Sequence, residues 1–271
     1  MAVPLADVIA ILERLYPPTT AQSWDRVGLV TGDPAQPVER ILLAVDPTLA
    51  VIEEARECGA DLLVTHHPLL LRGVHSVATT SAKGAGVTNL IVADIALYVA
   101  HTNADVAERG VSAALASALG LADVAPLAIE EGMPLGRVGL LPASMSLREF
   151  AMRVAAAVPS APGGIRVSGP ADATVRRIAV LGGAGDSLFD AVRASGADVY
   201  VTADLRHHPV LEAREEARGG PPYLIDGGHW ATESLWLGAV GRDLRADLGD
   251  AVDIVHSTIC TDPWSFVVGR R

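Results

Sequence analysis

Hydrophobic positions along the chain follow two periods, one typical of helices and one typical of buried strands. Near the N-terminus, apolar residues recur every three or four positions, which predicts a helix over residues 5–15 that ends before Pro17. Farther along, short runs of apolar residues predict buried strands of a parallel sheet. These runs cover residues 41–45, 62–65, 97–100, 199–202 and 223–226.

The chain also repeats itself, at a constant offset of 137 residues. Residues 40–65 align with residues 177–202 without a gap, and 8 of the 26 positions are identical. Both copies predict a strand, a helix, a tight turn and a second strand. Gly59 and Gly196 stand just after each helix, where glycine is favoured. We therefore expect two strand–helix–strand units of the same topology.

A fainter repeat follows each copy and pairs a histidine with a carboxylate. His101 and Asp105 come directly after one predicted strand, and His229 and Glu233 follow another after two glycines. Residues four apart on a helix lie on the same face, so each pair is expected to place its two side chains together. Both pairs open apolar helices, which are expected to end near Gly120 and Gly249.

A proline-punctuated segment separates the two copies. Ser146 and Glu149 show the capping-box pattern of a helix start. Strands are predicted on either side of this helix, at residues 137–141 and 164–167. The expected organisation is therefore a first α/β repeat half, an inserted strand–helix–strand segment and a second α/β repeat half, which cover residues 1–126, 127–176 and 177–271.

Charge and composition narrow the functional classes. Half of the residues are hydrophobic and a fifth are charged, as in a globular protein, and the net charge is −11. Repulsion from that charge argues against binding to nucleic acid or to an anionic membrane. The paired basic residues Arg176–Arg177 and Arg270–Arg271 are expected to be solvated surface.

The chain carries no pattern of export or membrane insertion. It has no apolar run near 18 residues, and its first residues lack a basic segment followed by an apolar one. Cys58 and Cys260 are too few for a disulfide framework or a cysteine-based metal site, so both are expected to be reduced thiols. A cytoplasmic location is therefore expected.

The placement of the histidines is the strongest chemical signal. The carboxyl ends of parallel strands meet at one edge of a sheet, where α/β proteins bind ligands. Imidazole and carboxylate are common ligands of Zn, Fe, Mn, Co and Ni, and a buried carboxylate is unfavourable unless it is paired or bound to metal. Four predicted strand ends deliver imidazole: His66 and His67, His101, His207 and His208, and His229.

Each of these features alone also fits a structural role. His66 and His67 precede a proline and could form a turn, and an acidic residue such as Asp105 is favoured near any helix start. Taken together, their equivalent positions in the repeat favour a metal site. The remaining candidates are expected to be structural: Asp25 as a turn cap, the glycines of residues 182–185 as a tight turn or a weak phosphate loop, and His75 and His256 as loop or packed residues.

Five motifs together give the sequence a family resemblance. They lie in one order along nearly the whole chain, at residues 23–29, 59–70, 101–105, 196–208 and 227–233. The sequence resembles the Nif-three-like dinuclear metal-binding family, whose members are often described as GTP cyclohydrolase 1 type 2 homologues. The resemblance implies an α/β fold of two interleaved, internally repeated α/β units, with mixed sheets flanked by helices.

The same resemblance implies a ligand set and an assembly. The metal ligands would be His66, His67, Asp105, His229 and Glu233, with the two carboxylates as bridging candidates. A homohexamer with sites facing an inner cavity is implied as well. The residues expected close to the metals, as catalytic candidates, are His101, Asp204 and His208. One departure is Ala203, where the family usually has glycine.

Two classes of function follow from two divalent ions per subunit. Paired metals activate water and clamp a leaving atom, which indicates a metal-dependent hydrolase acting on a nucleotide-like or other small polar substrate. His101 or His208 would then move protons. The alternative is a non-catalytic metal-binding regulator, a metallochaperone or a metal store. The ligand types suit Zn, Fe and Mn alike.

Overall fold

A computed structural model of the chain describes residues 2–269, so the pair Arg270–Arg271 lies outside the described residues. The helices are α1 (Leu5–Leu15), α2 (Leu49–Glu57), α3 (Ala82–Val92), α4 (Thr102–Val106), α5 (Val111–Ala118), α6 (Leu147–Ala157), α7 (Phe189–Ser195), α8 (His207–Glu216) and α9 (His229–Leu248). Short 3₁₀ turns occupy Pro18–Thr20, Asp186–Leu188 and Gly249–Ala251.

The strands alternate with these helices along the chain. They are β1 (Val3–Pro4), β2 (Gly28–Thr31), β3 (Pro37–Val38), β4 (Arg40–Ala44), β5 (Leu62–Thr65), β6 (Ala96–Val99), β7 (Ala122–Glu130), β8 (Met133–Ser146), β9 (Arg166–Ser168), β10 (Thr174–Ala184), β11 (Val199–Ala203), β12 (Tyr223–Asp226) and β13 (Asp253–His256). Over residues 2–269, no helix is both long and apolar enough to cross a bilayer.

The chain forms two compact units, each made of two separate stretches of sequence. Among the described residues, unit 1 comprises residues 2–109 and 237–261, and unit 2 comprises residues 110–236 and 262–269. The units are therefore interleaved along the chain. The expected mixed α/β fold with flanking helices is confirmed. The three-part division of the sequence into residues 1–126, 127–176 and 177–271 stays a prediction.

Unit 1 is built on a five-stranded mixed sheet. Its strand order is β13-β4-β5-β6-β2, with the first four strands parallel and β2 antiparallel at the edge. Thr48 caps the start of helix α2, since its side chain accepts a hydrogen bond from the Val51 backbone amide. Ile52 of α2 and Leu90 of α3 pack with Leu63 of β5 in one buried cluster. Burial on both faces explains the continuous apolar runs of the central strands.

Unit 2 is built on a six-stranded mixed sheet. Its order is β7-β8-β10-β11-β12-β9, with β10, β11 and β12 parallel to one another. The expected capping box is present, because Ser146 and Glu149 each bond the other's backbone amide at the start of α6. Phe150 of α6 packs with Ile178 and Ile225 in the buried core of this unit.

The two copies of the repeat have the same topology and the same register. Ile41 of β4 pairs with Leu62 of β5, and Ile178 of β10 pairs with Val199 of β11, at an offset of 137 in both members. The helix between the strands ends at Gly59 in one copy and at Gly196 in the other, with φ of +68° and +67°. The expected strand–helix–strand duplication is therefore confirmed.

The aspartate of the shared Gly-Ala-Asp triplet makes equivalent hydrogen bonds in both copies. An oxygen of Asp61 accepts hydrogen bonds from the backbone amides of Glu39 and Arg40, at 2.7 and 2.9 Å. An oxygen of Asp198 accepts from the amides of Arg176 and Arg177, at 2.8 Å each. The aspartate before the second strand thus holds the backbone of the first strand in each copy, which explains its retention in both.

Two elements differ from the sequence expectation. The helix after His101 does not run on to Gly120, because α4 ends at Val106 and α5 begins after Gly110. Ala107 and Gly110 adopt extended backbone conformations that interrupt the helix. The strand expected at residues 164–167 begins only at Arg166, since Gly164 takes a left-handed conformation with φ of +62°.

Removing the Asp198 carboxylate should destabilise unit 2. The Asp198→Ala variant leaves two backbone amides without their acceptor, and we expect the free energy of unfolding to fall by about 1–3 kcal/mol. Urea denaturation measures this change. The exposed Asp172 gives the matched control, and its alanine variant should change stability by less than about 0.5 kcal/mol. Equal stability of the two variants would contradict the assigned role.

Candidate metal site

Three histidine rings of unit 1 converge at the carboxyl ends of β5 and β6. The strands are parallel with Thr65 opposite Val99, so the residues that follow them emerge side by side. The ring of His66 lies 4.9 Å from that of His67 and 5.1 Å from that of His101, between centroids. The rings of His67 and His101 are 5.4 Å apart. We call these residues the three-histidine cluster.

Every ring in the three-histidine cluster is held through its Nδ1 atom. Nδ1 of His66 lies 3.0 Å from the carbonyl oxygen of Ala100. Nδ1 of His67 lies 2.7 Å from Oδ1 of Asp46, and Nδ1 of His101 lies 2.9 Å from Oδ1 of Asp25. A carbonyl or carboxylate oxygen only accepts, so Nδ1 carries the proton and Nε2 has the lone pair that a metal needs.

The cluster therefore fits a metal ion. One ligand nitrogen from each ring lies within 4.8 Å of the others. The nitrogens bound to a tetrahedral ion with metal–nitrogen bonds of about 2.0–2.1 Å lie about 3.3–3.4 Å apart, so the rings would close by up to about 1.5 Å to bind one. Asp105 of α4 adds a carboxylate, with Oδ1 placed 3.6 Å from Nε2 of His66. The three-histidine cluster could hold a divalent cation.

Asp25 anchors this cluster from a distant part of the sequence. Besides His101, it accepts hydrogen bonds from the backbone amide of Thr102 at 3.0 Å and from its hydroxyl at 2.5 Å. Burial acts to raise the pKa of Asp25, but the hydrogen bonds from His101 and Thr102 outweigh it and leave the pKa well below its usual value. The expected turn cap is thus also the residue that orients His101 and holds the start of α4.

A second group of candidate ligands lies in the first turn of α9, in unit 2. His229 and Glu233 stand on one face, with Nε2 of the imidazole 2.9 Å from Oε1 of the carboxylate, as their spacing predicts. Nδ1 of His229 lies 2.8 Å from Oδ2 of Asp204, so this ring is also held through Nδ1. Asp204 adopts a left-handed conformation with φ of +53°, and Ala203 before it is an ordinary residue of β11.

The glycines at the end of β10 allow the backbone to approach these candidate ligands. Gly183 has φ of +72°, and a Cβ atom there would lie under 3.0 Å from Oε1 of Glu233 and 3.2 Å from Nε2 of His229. The amide of Gly183 also donates to the Thr232 hydroxyl at 3.1 Å. The end of β10 is therefore packed against the candidate ligands of unit 2, which replaces the weak phosphate-loop interpretation of residues 182–185.

The remaining histidines have other environments. His208 is exposed in the first turn of α8, with its ring 5.0 Å from that of His207. His75 lies in an exposed loop. The Nε2 atom of His256 is buried without a hydrogen-bond partner among the described residues, and burial lowers the pKa of this ring, with further lowering from Arg245 and Arg242. These surroundings suit the structural role expected of His256.

Sequence reasoning did not single out Asp46 and weighed Gly183 only as part of a loop. Asp46 follows β4 and reaches His67, which is 21 residues later in the chain. Its position just after a buried strand was the available signal, because the same edge carries the histidines. Gly183 contacts residues about 50 positions away, so its local pattern could not reveal the contact.

Comparison with known proteins identifies the family of this chain. The family model for Duf34/NIF3 (NGG1p interacting factor 3) matches residues 3–263. The chain belongs to the DUF34/NIF3 family. It is 52% identical to the GTP cyclohydrolase 1 type 2 homolog of Streptomyces coelicolor, with 96% of this chain and 93% of the relative aligned. It is 36% identical to the homolog of Mycobacterium tuberculosis, with 98% and 97% aligned.

Solved structures of the family share the fold. The crystal structure of the Bacillus cereus protein related to NIF3 matches with a TM-score of 0.90 and 26% sequence identity, and the match covers 98% of this chain and 99% of that chain. The resemblance to the family, proposed from the motifs, is confirmed. The fold of this DUF34/NIF3 protein is thus shared with a solved relative nearly end to end.

Substituting Gly183 should lower stability by more than the loss of a left-handed glycine alone, because a side chain there meets the candidate ligands of unit 2. Gly196 has nearly the same φ but open space around its Cβ position, so Gly196→Ala measures backbone strain alone. We expect Gly183→Ala to lose about 1–3 kcal/mol more than Gly196→Ala in urea unfolding, because its methyl group overlaps Glu233. Equal losses would show that Glu233 can move away without cost.

The Asp25 interactions should weaken in acid. A carboxyl with a lowered folded pKa contributes stability above its unfolded pKa of about 3.9, and this contribution declines as pH falls toward the folded pKa. We therefore expect the stability difference between the wild type and Asp25→Asn to shrink between about pH 4.5 and pH 3, measured by urea unfolding. Asp7→Asn at an exposed position is the control. A difference that stays flat over this range would contradict the assignment.

Proposed function

We propose that this DUF34/NIF3 protein binds two divalent metal ions and catalyses hydrolysis of a nucleotide-like or other small polar substrate. The observation that carries the proposal is the three-histidine cluster, in which each Nδ1 atom is held by an oxygen acceptor. In His66 and His67, Nε2 is proposed as the metal-binding nitrogen, and in His101, Nε2 is proposed to exchange a proton. The proposed ligands are His66, His67, Asp105, His229 and Glu233.

Bound divalent ions would supply water activation and charge stabilisation at the leaving atom. The surrounding residues would transfer protons and orient a ligand ring. His101, whose ring is fixed by Asp25, is proposed to accept and return a proton through Nε2. Asp204 is proposed to keep His229 in one orientation. His208, exposed at the start of α8, is proposed as a proton carrier at the solvent boundary.

The names of the relatives suggest the first substrate to test. The Streptomyces coelicolor and Mycobacterium tuberculosis proteins are both named GTP cyclohydrolase 1 type 2 homologs. GTP is therefore the first candidate for this chain. The alternative proposal is a non-catalytic role as a metal-binding regulator, metallochaperone or metal store, which the same ligands would support. The homohexamer and the cytoplasmic location remain proposals, as do zinc, iron or manganese as the metal.

The number of bound metal ions should fall when a proposed ligand is removed. The wild type, loaded with Zn²⁺ and desalted, should retain about two ions per chain by elemental analysis. His66→Ala and Glu233→Ala should each lose about one ion or bind it at least about tenfold more weakly, while circular dichroism stays unchanged. The matched control is His75→Ala, which changes an exposed loop histidine and should retain full metal content.

Turnover separates the two proposed functions. The Zn²⁺-, Fe²⁺- and Mn²⁺-loaded proteins would be incubated with GTP, and the products identified by mass spectrometry. Chelator-sensitive ring opening that is lost in His101→Ala, with metal content retained, supports the hydrolase. Two bound ions without turnover support metal handling. Unchanged metal content in both ligand variants would overturn the site assignment itself.

A further inference from the structure

The segment that follows β13 is fixed on the unit 1 sheet. The amide of Ser257 donates to the carbonyl of Leu43 at 2.8 Å, which continues the pairing of β13 with β4. The Ser257 hydroxyl donates to Glu54 of α2 at 2.5 Å, and Ile259 packs against the buried core of the unit. Residues 257–261 are therefore held close to the carboxyl end of β4.

The last residue of this segment, Thr261, bonds the carboxylate of Asp46, which in turn contacts His67. The Thr261 hydroxyl donates to Oδ2 of Asp46, while Oδ1 of the same carboxylate lies 2.7 Å from Nδ1 of His67. The two oxygens of Asp46 thus join a residue 215 positions later in the chain to a ring of the three-histidine cluster. Both Thr261 and His67 are partly buried.

We propose that Asp46 and Thr261 are positioning residues for His67, and that residues 257–261 thereby set the metal affinity of unit 1. The inference rests on the proposed metal-binding function. The torsion about the terminal bond of an aspartate is broad, so each hydrogen bond to its carboxylate narrows the range of orientations that the carboxylate adopts. A hydrogen bond on its second oxygen fixes the carboxylate plane, and that plane fixes the direction of the His67 ring.

The Thr261 hydroxyl can be removed almost without changing side-chain shape. Thr261→Val deletes the donor, Thr261→Ser retains it, and Thr258→Val makes the same chemical change at an exposed position three residues earlier. Asp46→Ala removes the carboxylate on which Thr261 is proposed to act. If Thr261 acts through Asp46, its substitution should have no further effect in the Asp46→Ala background, as a double-mutant cycle would show.

The first measurement is the affinity of the full chain for Zn²⁺ by chelator competition. Asp46→Ala should weaken binding of one ion by about 10–100-fold, the range typical of residues that orient metal ligands. Thr261→Val should weaken it by a smaller factor, about 3–10-fold, and Thr261→Ser and Thr258→Val should match the wild type. A Thr261→Val protein with wild-type affinity, or with an equal added loss in Asp46→Ala, would overturn the proposal.

A second measurement does not depend on metal binding. Nitrogen chemical shifts of the metal-free protein report which ring nitrogen of His67 carries the proton. Thr261→Val should shift the His67 signals toward a mixture of the two tautomers, whereas a general loss of stability would not select this ring. Unchanged His67 signals would overturn the inference. If the wild type binds no metal but the His67 signals move, the proposed function fails while the positioning role stands.

Discussion

A histidine can offer a metal ion only the nitrogen that its surroundings leave available, and in both units Nδ1 is already committed. His67, His101 and His229 each rest on an aspartate, and His66 rests on a backbone carbonyl. A ring that could rotate freely would lose conformational entropy on binding and would present its nitrogens in the wrong direction part of the time. The candidate metal site thus depends on acceptors fixed by the fold.

The two copies of the internal repeat share a backbone but carry different residues at the ends of their strands. Asp61 and Asp198 bond the first strand of their copies in the same way. At the strand ends, the offset of 137 aligns His66 with Ala203 and His67 with Asp204. One copy therefore carries two imidazoles where the other carries a carboxylate that holds His229. The duplicated backbone is the common part, and the chemistry lies in the residues that follow it.

Several features of the site are unfavourable for stability and indicate function. Glu233 is 3% exposed, and Gly183 approaches its carboxylate more closely than any other residue type would allow. Proteins retain such local costs where binding or chemistry needs them. The same features would serve a hydrolase or a metal-handling protein, since both require preorganised ligands.

The strand–helix alternation and the His–carboxylate spacing could be predicted because each is local in the sequence, and the repeat could be predicted because its two copies align without a gap. Helix α3 was not predicted, since Gly84 and Gly86 weaken its helical pattern. Strand β7 was not predicted either, because it is largely exposed and lacks a buried apolar run.

The types of the candidate ligands, the repeat and the strand ends on which these candidates lie were determined by the sequence itself. Only the tertiary structure decided which residue holds each ring. Asp25 meets His101 across 76 positions and Asp46 meets Thr261 across 215. Periodicity and motif spacing describe neighbours along the chain, whereas such contacts exist only once packing brings distant loops together.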